Sequence, residues 1–136
     1  MALAADVAKA LLDRAGTLSY GSPVMKKAMP DIAFTPVTGK PYFRVDLFRN
    51  APFWTGLGSG KIDQGLMQIT VVWPKGQGII KASTAADAVI AHFSKGLKLY
   101  SGTARVKLGQ AWASAPLPDD AWTDTPVTIP WTASAV

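Results

Sequence analysis

The sequence predicts an α+β fold in the order helix, strand, strand, helix, strand, strand. The expected architecture is a four-stranded, mostly antiparallel or mixed sheet with two helices packed on one face. Three observations predict it. Two stretches carry apolar residues at helical spacing, and four carry them at every second position. Each of these elements is apolar on one side only, so each must bury that side against another layer. The chain has 136 residues, with 49% hydrophobic and 17% charged positions, which suits one folded domain over 1–136 and excludes a disordered chain.

The first helix is expected over 2–15, where Leu3, Val7, Ala10 and Leu11 form a stripe and Asp6, Lys9 and Asp13 lie outside it. Gly16 stops it. Residues 16–40 are rich in Gly, Pro, Ser and Thr and read mostly as loop, with a short extended piece near Ile32–Phe34. The first strand is YFRVDLFR at 42–49, with Phe43, Val45 and Leu47 on one face and Tyr42, Arg44 and Asp46 on the other. A loop is expected over 50–64, because glycine and proline crowd it. The second strand, LMQITVVW at 66–73, turns Met67, Ile69, Val71 and Trp73 one way and Gln68 and Thr70 the other.

The second helix is expected over about 79–95, with Ile79, Ala82, Ala86, Val89, Ile90 and Phe93 buried and Gly96 ending it. A later start is open, since Thr84 and Asp87 have capping-box spacing. The third strand covers about 103–109, where Ala104, Val106 and Leu108 alternate with Arg105 and Lys107. The passage 66–109 is long enough for a right-handed parallel crossover. The last strand is TPVTIPWT at 125–132. Pro126 and Pro130 share a parity there and cannot donate to a ladder, which places this strand at a sheet edge.

The residue types leave little room for catalysis. There is no cysteine, so disulfides, thiolate chemistry and cysteine metal sites are excluded. The one histidine, His92, faces away from the apolar stripe beside Lys81 and Lys95, where an exposed surface role outweighs a catalytic one. All nine acidic residues are aspartates, and Asp119, Asp120 and Asp124 cluster in a proline-bounded loop without the ligand spacing of a calcium site. GLGSGK at 56–61 is not a phosphate loop: Thr55 stands where the first glycine belongs, and Ile62 where Ser or Thr should hold magnesium. No catalytic, metal or cofactor-binding residue is assigned, and no cofactor is expected.

The net charge of +5 attracts polyanions weakly, and Lys26–Lys27 is the one tight basic cluster. No segment approaches the roughly 18 apolar residues of a membrane helix. The N-terminal stretch, with Asp6 and Asp13 and no basic start, does not read as a secretory signal. Among the five tryptophans, Trp73 and Trp131 fall in phase with the core. Phe53 and Trp54 sit in a Gly-rich loop, where large aromatics either fold back or anchor a partner, and Trp112 and Trp122 flank another loop.

Several stretches in order carry a resemblance: the first helix; PYFRVDLFRNAP; GLMQITVVWPKGQG running into ADAVIAHF; and WTDTPVTIPW. The spacing of Gly65, Gln68, Val71, Pro74, Gly76 and Gly78 is its most specific part. From about residue 2 to 132 the chain resembles the small siphophage tail terminators, the group around the lambda tail terminator and a related phage family of formerly unknown function. The resemblance implies a non-enzymatic virion protein of the tail or neck, assembled in the host cytoplasm. It implies a homohexameric ring that caps the tail tube, ends its polymerisation and joins tail to head. Implied partners are further copies of the chain, the tail tube protein and a head-completion or neck protein, with DNA as passing cargo and no membrane. The alternatives are another neck or tail-completion protein, or a basic nucleic-acid-binding module. Under this reading Phe53, Trp54, Leu57 and Lys61 are candidates for an oligomer or partner interface. Arg44, Asp46, Gln68, Thr70, Arg105 and Lys107 are candidates for a polar sheet face that borders the channel.

Overall fold

The structure, a computed structural model, describes residues 4–21, 24–54, 61–119 and 121–135; the side chains of 52–54 and 61 lie outside the described set. Among the described residues two helices and eight strands follow one another as α1 (Ala4–Gly16), β1 (Lys26–Ala28), β2 (Tyr42–Trp54), β3 (Lys61–Pro74), α2 (Ile80–His92), β4 (Lys98–Ser101), β5 (Ala104–Leu108), β6 (Trp112–Ala113), β7 (Leu117–Pro118) and β8 (Trp122–Ala135). The strands form one curled mixed sheet, a half-barrel, in the order β1-β2-β3-β8-β5-β4, with β6 and β7 also paired to β8. The expected four-stranded sheet covered by two helices is therefore overturned. The strands missing from that expectation have two to four residues, too few to show an alternation of their own. Their ladders exist because longer strands, above all β8, offer them an edge.

Three boundaries also move. The two strands flanking the expected loop 50–64 run well into it, to Trp54 and from Lys61, paired as a long hairpin with a register shift between Asn50 and Phe53. The shift adds one residue to β2, a bulge beyond which the ladder resumes at Phe53–Ile62. The extended piece near Ile32–Phe34 is absent; Lys26–Ala28 instead pairs in parallel with β2. Finally, β8 is central and not an edge strand. It pairs with β3 along 122–133 on one side and with β5, β6 and β7 on the other. The carbonyls of Pro126 and Pro130 accept from Ser114 N–H and Gly109 N–H, both at 2.8 Å, so both prolines turn their bonding edge toward the β5–β7 side. That side is broken at just these places: Pro130 meets the gap between β5 and β6, and Pro126 the gap between β6 and β7. The missing donors therefore interrupt no continuous ladder.

The core lies inside the curl. Phe43 and Val45 of β2, Met67, Ile69 and Val71 of β3, Val106 and Leu108 of β5, and Val127, Ile129 and Trp131 of β8 are buried there. Val7, Ala10, Leu11 and Ala15 of α1 close it, with Ala82, Ala85, Ala86, Val89 and Phe93 from α2 and its end. Each large apolar side chain fully buried in this way contributes roughly 1.5–3 kcal/mol. Ile79 was expected in the α2 stripe but is 55% exposed, and its neighbour Ile80 is 75% exposed. The helix starts at Ile80 and not at Thr84, whose hydroxyl donates back to the Ile80 carbonyl at 2.9 Å. The helix ends at His92, short of the expected 95, where Phe93 at φ −111 and ψ 60 leaves the helical conformation. Gly96, at φ 82, therefore lies in the turn beyond the helix and does not end it; its N–H donates to the Leu108 carbonyl at 2.8 Å. The β4–β5 turn is fastened to α1: the Asp6 carboxylate accepts from Thr103 N–H at 2.9 Å and from its hydroxyl at 2.7 Å. Those two bonds hold the Asp6 carboxyl below the usual carboxylate range.

Candidate interaction surfaces

Side chains alternate across a strand, so the register fixes which residues share the outer side of the curl. Arg44 pairs with Thr70 and Thr70 with Pro126; Asp46 pairs with Gln68, Gln68 with Thr128, and Thr128 with Trp112. The next row is Phe48, Leu66 and Pro130, and the row beyond it is Asn50, Gln64, Thr132, Lys107 and Lys98. Ser134, Arg105 and Tyr100 complete the far end. By register, Arg44, Asp46, Gln68, Thr70, Arg105 and Lys107 thus lie on one side of one sheet, but Thr70 is 1% exposed and presents nothing at the surface.

That side is not uniformly polar. It has three bands. In the first, Arg44 lies between two carboxylates, 3.6 Å from Asp46 and 3.5 Å from Asp124, so its charge is balanced locally. These half-exposed pairs contribute about 0–1 kcal/mol each. The second band is apolar: Phe48, 51% exposed, runs into Leu66 and Pro130, with Trp112 exposed in the row on the other side of it. The third is cationic, with Lys98, Arg105 and Lys107 exposed. Of these, Lys98 and the apolar neighbours Phe48 and Trp112 were not assigned from sequence. The only signal for Lys98 is the short alternation in KLYS, which is too brief to call a strand.

The expected interface residues fall at the end of the β2–β3 hairpin. Phe53 pairs with Ile62 and Trp54 with Lys61 in the ladder, while Leu57 and the side chains of Phe53, Trp54 and Lys61 lie outside the described set. At the base of this arm, buried Asp63 lies 3.1 Å from Arg49, on the inner side of the curl. A groove of about 470 Å³ opens under residues 34–41, lined by Tyr20, Met25, Val37, Tyr42 and Trp73.

The groups considered for chemistry are dispersed. His92 is not a free surface group: its Nε2 reaches Thr17 Oγ1 at 2.8 Å and the Arg14 carbonyl at 3.1 Å, which ties α2 to α1. Burial pushes its pKa down, against the opposing pull of the Arg14 carbonyl, with the charges of Arg14 and Lys27 adding to the downward shift. Asp124 turns to Arg44 on the outer face, Asp119 N–H donates to the Trp122 carbonyl, and Asp120 lies outside the described residues. Of GLGSGK, Lys61 opens a strand where a phosphate loop would need a helix. Among the described residues no three His or Asp side chains gather as a metal site, and no helix is long and apolar enough to cross a membrane. Trp131 is in the core as expected, while Trp73 is half-buried against it, with its Nε1 donating to Gln77 at 3.0 Å. Trp122 packs edge-on against Tyr42, with ring centres 5.6 Å apart.

A solved structure superposes on this chain with a TM-score of 0.73 at 25% sequence identity, covering 96% of this chain and 92% of the other, so the fold is shared end to end. No curated protein matches. The family model described as phage tail terminator protein matches residues 6–131, nearly the whole chain, and the protein therefore belongs to the phage tail terminator family.

Proposed function

We propose that this phage tail structural protein forms a ring, a hexamer in the family reading, that caps the tail tube, ends its polymerisation and joins the tail to the neck. The observation that carries the proposal is the family match across 6–131. The architecture supports it. Among the described residues the sheet is open at two different edges, β1 and β4, and a subunit with two unlike edges suits head-to-tail association, which closes into a ring when the rotation permits. The hairpin arm that reaches Phe53 and Trp54 suits a partner anchor, to which the candidates Leu57 and Lys61 are close in sequence. The outer face with Arg44, Asp46, Gln68, Arg105 and Lys107 suits the border of a channel through which DNA passes. No turnover is assigned to any residue. The protein acts in the virion tail after assembly in the host cytoplasm.

Electron microscopy of the purified chain, alone and with polymerising tail tube protein, tests this. Rings at tube ends and tubes of limited length are expected. Tubes of unlimited length with no density at their ends would overturn the reading. Binding to a head-completion protein without any effect on tubes would place the chain in the neck instead.

A further inference from the structure

The cationic band of the outer face is larger and less compensated than its sequence suggests. Two adjoining grooves, about 720 and 250 Å³, share Lys107 and Thr132. The first also brings in Lys95, and the second Lys98, Arg105 and Ser134. Four exposed cations from three consecutive segments therefore line one strip. Among the described residues no carboxylate lines either groove, whereas Arg44 at the other end of the same face has two within 3.6 Å.

The arrangement is costly unless it is used. Lys98 and Lys107 are directly opposite in the β4–β5 ladder, and like charges in that position destabilise a sheet. The donors suit one class of ligand. Arg105 and Lys107 are two residues apart on one strand, hence about 7 Å along it, comparable to the step between neighbouring phosphates of a nucleic-acid strand. Thr132 and Ser134 add hydroxyl donors, and Arg105 already reaches Ser134 Oγ at 3.3 Å. Ammonium, guanidinium and hydroxyl groups without carboxylates are the usual partners of phosphate oxygens. Among the described residues Tyr100 is the one exposed aromatic in the strip, and these residues offer no row of rings on which unpaired bases could stack.

We propose that Lys95, Lys98, Arg105 and Lys107 form a contact strip for the phosphodiester backbone of duplex DNA, without base readout. The inference deepens the channel-border reading above and rests on it for its setting, but the binding is measurable on the isolated chain.

The test titrates the full-length protein against a short fluorescent duplex of random sequence at several salt concentrations. With four cations engaged, log K should fall with log salt at a slope of about −3 to −4. Lys98→Gln/Lys107→Gln should reduce that slope by about 2 and weaken binding at low salt by about tenfold or more. Lys75→Gln/Lys81→Gln removes the same charge from outside the grooves and should leave the slope nearly unchanged. Equal losses in the two double variants would mean that net charge alone acts, and would overturn the proposal. So would an unchanged slope in the Lys98/Lys107 variant, or polyglutamate competing as well as DNA at matched charge, which would point to an acidic protein. The tube-end assay separates the two readings. Capped tubes with no strip-dependent DNA binding would remove the strip and keep the terminator; strip-dependent binding with uncapped tubes would do the reverse.

Discussion

Arg14 and His92 satisfy each other's backbone. The Arg14 guanidinium donates to the His92 carbonyl from Nε at 3.1 Å and from Nη2 at 2.7 Å, while His92 Nε2 lies 3.1 Å from the Arg14 carbonyl. Both carbonyls belong to the last turn of a helix, where no intrahelical donor remains. Each helix end is thus capped by a side chain of the other, across 78 positions of sequence. The Arg14 carbonyl also accepts from the Thr17 hydroxyl at 2.7 Å, and that hydroxyl oxygen lies 2.8 Å from His92 Nε2; a ring proton on Nε2 satisfies both oxygens.

This joint makes stability pH-dependent in a definite direction. Burial lowers the folded-state pKa of His92 below 6.5, so the unfolded chain takes up this proton first. The contribution of His92 is complete above about pH 6.5 and is lost as pH falls from there through the lower folded value. Thermal unfolding between about pH 7 and 5 should show a falling midpoint in the native protein and a flatter profile in His92→Gln, which keeps a donor but cannot titrate. Identical profiles would refute the assignment. Phage assembly should persist in His92→Gln, since the residue has a joining role only.

Gly65 is fixed by what surrounds it. A Cβ there would collide with the Phe48 carbonyl and lie 2.6 Å from Trp131 Cζ2. The backbone oxygen cannot swing aside. Gly65→Ala should therefore cost about 1–3 kcal/mol by overpacking, seen as a midpoint lower by several degrees. A variant with unchanged stability would show that the ring and strand are not in close contact. Adding Trp131→Phe should relieve only the part of the strain that comes from the ring.

Asp63 is 2% exposed and faces the Arg49 guanidinium at an ion-pair distance of 3.1 Å. Removing the cation leaves a buried carboxylate short of its charge partner. Arg49→Met should destabilise by about 1–3 kcal/mol, and Asp63→Asn on that background should recover part of the loss. Chemical denaturation of the four proteins in the cycle measures the coupling. A coupling near zero would mean that water screens the pair fully.

The two prolines of β8 should be replaceable. Pro126→Ala or Pro130→Ala regains an N–H at a gap in the neighbouring strands and loses the restraint that proline places on the unfolded chain. Each should cost no more than about 1 kcal/mol. A loss of several kcal/mol in either variant would contradict the explanation given for why a central strand tolerates them.

The sequence by itself determined the elements that have enough length to display a period. Both helices were legible from Val7, Ala10 and Leu11 and from Ala82, Ala86, Val89 and Phe93, which are buried. So were the cores of three strands: Phe43 and Val45, Met67, Ile69 and Val71, and Ala104, Val106 and Leu108. The alternating faces follow from covalent geometry alone, so Arg44, Asp46, Gln68, Arg105 and Lys107 could be grouped on the polar sides of their strands before any pairing was known, whereas Lys98, Phe48 and Trp112 could not. The family was legible in the order of the same stretches.

Tertiary structure decided the rest. Strands of two to four residues have no local signature and exist because β2, β5 and β8 lend them an edge. Proline in β8 signalled an edge, because sequence shows the missing donor but not the break in the neighbour that makes it harmless. His92 read as a surface residue because its partners, Arg14 and Thr17, are 78 and 75 positions away. The same holds for the cationic strip. Its four side chains come from the segment after α2, from β4 and from β5, and only the curl of the sheet brings them to one side without a carboxylate among them.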